Sequence, residues 1–153
     1  MLEALSKFWV TTQQGPSPEL HMVIDSSALL AILLGEAEAR GIAQAIAADS
    51  KRLLSAMSAL ETAEVIEVKK GPAGGREFDL LLHHSRIEIV AMTAEQVQLA
   101  RDAYTNFGKG RHPAGLNLGD CCSYALARST GEPLLFKGRD FSQTDVAPVT
   151  YSA

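Results

Sequence analysis

Short apolar, β-branched runs alternate along this chain with longer stretches whose apolar residues recur every three or four positions. Residues 21–25 read His-Met-Val-Ile before Asp25-Ser26-Ser27 stops the run, the pattern of a short buried strand. Residues 52–54, 87–90 and 134–136 repeat it, and a last strand is expected near 146–149. Residues 28–34 and 36–48 read as two helices meeting near Gly35. Residues 58–70 form a third, closed by the breaker pair Gly71-Pro72, and residues 75–84 a fourth. Thr93 then stands as an N-cap, with Gln96 three positions on in a capping-box pattern. Val97, Ala100, Ala103, Tyr104 and Phe107 follow at helical spacing. Residues 108–115 make a basic loop, residues 118–129 a helix, and Gly131-Glu132-Pro133 a turn. Strands alternating with helices predict an α/β fold with a mainly parallel central sheet of four or five short strands.

A length of 153 residues fits one domain with a sizeable core. The 46% hydrophobic and 21% charged fractions are those of an ordinary globule, and no apolar run approaches the roughly 18–20 residues that span a bilayer. Residues 1–21 lack the basic and apolar regions of a signal peptide. They read as a lead-in or extension ahead of a domain at 22–150, with Leu2, Leu5, Phe8 and Trp9 spaced for a short docking helix. The adjacent Cys121 and Cys122 sit in a helical pattern where a disulfide between them would be strained, so buried thiols in a reducing cytoplasm are expected. A net charge of −4 argues against a surface coated in positive charge for non-specific nucleic-acid binding.

Four acids change the picture: Asp25, Glu61, Asp120 and Asp140. Each has an ordinary reading. Asp25 is placed to cap the helix that follows, and Asp120 is a first-turn acid behind a possible Asn117 cap. Asp140 is a loop residue with Asp145 as a rival. Glu61 is harder to dismiss, because it shares a helix face with Met57, Val65 and Val68. An acid in an apolar stripe is costly to bury without a partner, and Glu64 is the weaker alternative. Topology joins the four, since sites in open parallel sheets form beyond the carboxyl ends of the strands. Carboxylates gathered without His or Cys at ligand spacing suit a hard cation such as Mg²⁺ or Mn²⁺. That chemistry is metal-assisted hydrolysis of a phosphodiester. Asp25 and Asp120 would hold the metal, Glu61 and Asp140 would complete its shell, and Ser27 would orient a carboxylate. Lys109, Arg111, His112, Lys137 and Arg139 flank the later acids, as phosphate contacts or as an ordinary solvated set. Gly108-Lys109-Gly110-Arg111 lacks the spacing of a P-loop.

The segments MVIDSSALLAIL, SALETAEVIE, KGRHPAGLNLGDCCSYALA and GEPLLFKGRDF, in this order, resemble the PIN-domain toxins of the VapC family. The resemblance runs from Met22 to about Pro148. It implies a PIN-like α/β/α sandwich, with the family's first metal-binding Asp on Asp25 and its second acid on Glu61. Its third acid, a metal ligand, falls on Asp120 and its fourth on Asp140. Relatives often carry an acid or amide just before that last position, where this chain has Arg139. The resemblance further implies a cytoplasmic, Mg²⁺-dependent endoribonuclease toxin of a type II toxin–antitoxin system, homodimeric and neutralised by a small VapB-type antitoxin. Two other readings compete. A HAD-like phosphatase would use Asp25 as nucleophile but expects an Asp where Ser27 stands. A non-catalytic binding module draws support from Arg139. For the antitoxin, helices 28–34 and 58–68 are the expected docking surface, with an Arg or Lys of the partner directed at the carboxylates.

Overall fold

The computed structural model describes residues 21–152. The expected lead-in, except His21, and its docking helix lie outside the described residues. Four strands, β1 (His21–Ile24), β2 (Lys51–Ser55), β3 (Ile87–Val90) and β4 (Leu134–Leu135), pair in the order β3-β2-β1-β4, all parallel. The helices are α1 (Ser26–Leu33), α2 (Ala39–Ala48), α3 (Ala56–His84), α4 (Ala94–Phe107) and α5 (Leu118–Thr130).

Side chains alternate across β1, so its apolar run serves both faces of the sheet. Met22 and Ile24 join Leu54 and Leu135 in a core closed by α1, α2 and α3. Val23 joins Leu53 and Leu134 in a second core closed by α4 and α5. The result is an α/β/α sandwich. The Gly71-Pro72 break is present inside α3, where Gly71 takes φ 64° and ψ −160° and divides two helical halves. Thr93 caps α4 by accepting from the Gln96 amide at 3.1 Å. The expected capping box is only half made, because the Gln96 side chain donates to the Ala91 carbonyl instead.

Three expectations differ from the structure. The strand near 146–149 reduces to one bridge, Leu134 to Pro148, held by Leu134 N–H to Ala147 O at 2.8 Å and Val149 N–H to Leu134 O at 2.9 Å. The stripe through Met57 and Val68 is not the buried one. Ser58, Ala59, Thr62 and Ile66 face the core, while Val68 is 88% exposed. Nor is α1 a docking surface, since Ala28, Leu29, Ala31, Ile32 and Leu33 are all buried in the first core. Periodicity found the helices but not which stripe meets the sheet.

Candidate active site

Asp25 follows the last residue of β1, on the central strand pair of the sheet. Its backbone N–H donates to the Leu135 carbonyl of β4 at 2.9 Å, which fixes the chain as it leaves the sheet. It caps α1 as well, because its Oδ2 accepts from the Ser27 amide at 3.0 Å. The capping role expected of this carboxylate is therefore made. Only 1% exposed, it also accepts at Oδ1 from Ser123 Oγ at 2.5 Å. Burial pushes its pKa up, the Ser123 and Ser27 hydrogen bonds oppose that rise, and the charge of Glu61 adds to it.

Asp120 enters from the start of α5. It is the third residue of a complete capping box, in which Asn117 Oδ1 accepts from the Asp120 amide at 2.9 Å and Asp120 Oδ2 accepts from the Asn117 amide at 3.1 Å. Burial, then the charge of Asp25, raise its pKa to about 7, and Asp140 and Glu61 push the same way. Each of the other three acids is thus near enough to be felt at Asp120.

Glu61 is half-buried on α3, and its Oε1 accepts from Ser26 Oγ at 2.5 Å. Glu64, one turn on, is exposed. Asp140 is exposed, ahead of the short 3₁₀ turn Phe141–Gln143. Its rival Asp145 is occupied elsewhere, accepting from Tyr124 Oη at 2.5 Å and lying 3.8 Å from Arg128.

The acids converge without closing into a finished ligand set. Among the described residues, no three acidic, His or Cys side chains already stand grouped to hold an ion. Like charges keep apart, and local donors hold Asp120 and Glu61. The donor chemistry nonetheless fits a hard divalent cation: all-oxygen, and carrying a carboxyl that burial and its acidic neighbours hold near pKa 7.

The basic residues are less uniform than their sequence suggests. Lys137 N–H donates to Ser27 Oγ at 3.0 Å, while its ammonium pairs with Glu36 and lies 3.6 Å from Glu38. Arg111 lies over the Tyr104 ring at 5.1 Å, and His112 Nδ1 accepts from the Ala114 amide at 3.0 Å. Lys109 and Arg139 are exposed.

Sequence reasoning missed Ser26, Ser123 and Gly119. A Cβ at Gly119 would collide with the Glu61 carboxylate, so a side chain there would displace that acid. Its place directly before Asp120 was the available signal. Ser26 and Ser123 gave none, because a helical serine is ordinarily satisfied by its own helix.

The PIN domain model matches residues 22–147, a span that holds all four acids. Ribonuclease VapC30 of Mycobacterium tuberculosis is 56% identical over 128 residues, which cover 84% of this chain and 98% of that protein. The chain belongs to the VapC family of PIN-domain ribonucleases. Solved structures agree on the PIN fold. Mycobacterium tuberculosis VapC20, described as a Sarcin-Ricin loop cleaving toxin, superimposes with a TM-score of 0.70 at 17% identity, covering 84% of this chain and 98% of that one. VapBC2 from Rickettsia felis, bound to a DNA fragment from its promoter, gives 0.67 at 14% identity, covering 87% and 100%. PIN-domain VapC ribonucleases are in general divalent-metal dependent. In this PIN domain Asp25 stands at the carboxyl end of β1, and Asp25, Asp140 and Glu61 each act on Asp120.

Proposed function

We propose that this chain, through a PIN domain at 22–150, is the toxin of a type II toxin–antitoxin pair, a Mg²⁺-dependent endoribonuclease acting through Asp25, Glu61, Asp120 and Asp140. The observation that carries the site is Asp120, a capping acid driven to about 7 by burial and by all three of the others. Asp25 and Asp120 would hold the cation, and Glu61 and Asp140 would complete its shell, with Mn²⁺ able to substitute. A bound divalent cation supplies positive charge that favours the ionised carboxylates, acidifies water and offsets charge growing on the phosphate. The rest is the work of the chain. Ser27 and Ser123 hold the Asp25 carboxylate, Ser26 holds Glu61, and the capping box fixes the backbone beneath Asp120.

The partner is a VapB-type antitoxin that directs an Arg or Lys toward the acids and competes with the cation. A homodimer is supported by an apolar groove of about 520 Å³ at the start of α5, lined by Met57, Val97, Tyr104, Leu118, Cys121 and Cys122. Among the described residues no helix is long and apolar enough to cross a membrane. Cytoplasmic residence agrees with an RNA substrate and with two buried free cysteines. The HAD-like reading falls with the family assignment. The test is sequencing of RNA ends after induced expression, with Asp25→Asn as control. Metal-dependent new ends in the wild type alone are expected, and identical ends in both would overturn the site.

A further inference from the structure

Several helical hydroxyls in this fold turn back on their own helix. Thr62 donates to the Ser58 carbonyl at 2.7 Å, Thr105 to that of Arg101 at 3.1 Å and Thr130 to that of Leu126 at 2.8 Å. This is the ordinary way a helix satisfies such a group. Ser123 does otherwise. It is fully buried in the middle of α5, and its Oγ reaches Asp25 Oδ1 on another element at 2.5 Å. Behind it, 2.9 Å away, stands Ser58 Oγ on α3, equally buried. With Asp25 ionised, as a cation ligand is, it only accepts, so the Ser123 hydrogen goes to Asp25 and Ser58 donates to Ser123. Three groups from three elements form one directed chain, Ser58 to Ser123 to Asp25.

We propose that Ser123, backed by Ser58, is a positioning residue that sets the Asp25 carboxylate for the divalent cation. This rests on the reading of Asp25 as a ligand. The Ser27 amide holds Oδ2 and the Ser123 hydroxyl holds Oδ1, so both the place and the rotation of the carboxylate are fixed. An ionised carboxylate has about four acceptor sites, which leaves capacity for a cation. Hydrogen-bond donation also offsets the burial that works against charge on this group. A hydroxyl pair that merely packed α3 against α5 would affect stability and leave cation affinity alone.

The test is Mn²⁺ titration of the full chain without RNA, followed by electron paramagnetic resonance of the free ion at fixed pH. Ser123→Ala should bind Mn²⁺ about 10- to 100-fold more weakly, the usual effect of losing a partner that orients a ligand. Ser58→Ala should weaken binding by about threefold, a share of that effect. Added to Ser123→Ala it should change nothing more, because it acts through the missing hydroxyl. Wild-type affinity in Ser123→Ala overturns the proposal, as does an undiminished Ser58→Ala effect in the double variant. Should Ser123→Ala fail to fold by circular dichroism, Ser58→Ala alone decides, since it touches no acid. Asp25→Asn binding Mn²⁺ like the wild type would overturn the ligand reading itself, and the proposal with it.

Discussion

Gly119 lies so close to Glu61 that any side chain on it would overlap the carboxylate. The Glu61 carboxylate of α3 reaches the start of α5 one residue before Asp120, where the chain has no Cβ. Gly119→Ala should therefore push Glu61 out of place. Misplacement of a reacting group by about 1 Å can cost on the order of 100-fold in rate. Stability should change little, because alanine's better helix propensity, worth about 1 kcal/mol, works against the strain. Cleavage rate and thermal midpoint measured on one preparation check both halves, and unchanged cleavage sinks the idea.

The raised pKa of Asp120 has a defined sign in pH. The folded protein keeps this proton up to about 7, whereas the unfolded chain releases it near 3.8. Between those values the folded state binds more protons, so stability falls as pH rises through this window. The destabilisation is absent below the lower value and complete above the upper one. Asp120→Asn should remove it along with the cleavage activity. Without divalent cations, its melting temperature should exceed that of the wild type at pH 8, and the gap should close toward pH 4. A gap that ignores pH would contradict this account.

Glu61 and Glu64 are separable. Glu61 receives the Ser26 hydroxyl and adds its charge at Asp25 and Asp120, whereas Glu64 is exposed. Glu61→Gln should lower cleavage by about 100-fold or more, on the scale of losing one preorganised electrostatic group. Glu64→Gln should lower it little. Comparable losses would mean that both acids serve the reaction.

Arg52 offers a control at the opposite end of the sheet. Only 5% exposed, it donates to the carbonyls of Ile46, Asp49 and Ser85 at 2.6, 2.6 and 2.8 Å, and to that of Ala47 at 3.4 Å. It thereby satisfies the carboxyl ends of α2 and α3 with one cation. Arg52→Met keeps much of the volume and strands those acceptors, which should cost about 3 kcal/mol or more. Urea unfolding measures the loss, and cleavage per folded molecule should be unchanged.

The sheet was readable, and Asp25 at the end of β1, because each has a local signature. A strand buried on both faces is a short apolar run, and an acid directly after one stands out, as Asp25 does after Ile24. The Gly71-Pro72 break and the Asn117 cap were legible for the same reason. Long-range choices were not. Whether Met57 or Ser58 faces the sheet depends on which stripe of α3 meets α1 and α5, and both stripes have helical spacing. The serines that hold the acids look like any helical serine until the partner helix is in place. The strand expected at 146–149 had the right residues but gained only one bridge to β4.

The hydrogen bond from Asp25 N–H to Leu135 O joins the first strand of the described fold to the last one made. Synthesis proceeds from the amino end. A growing polypeptide has Asp25 and Glu61 early, but the strand that anchors Asp25 arrives only after Asp120. Until Leu135 has emerged, the Asp25 N–H has no carbonyl of β4 to receive it. A newborn chain therefore lacks the backbone anchor of Asp25 until its fourth strand has been made.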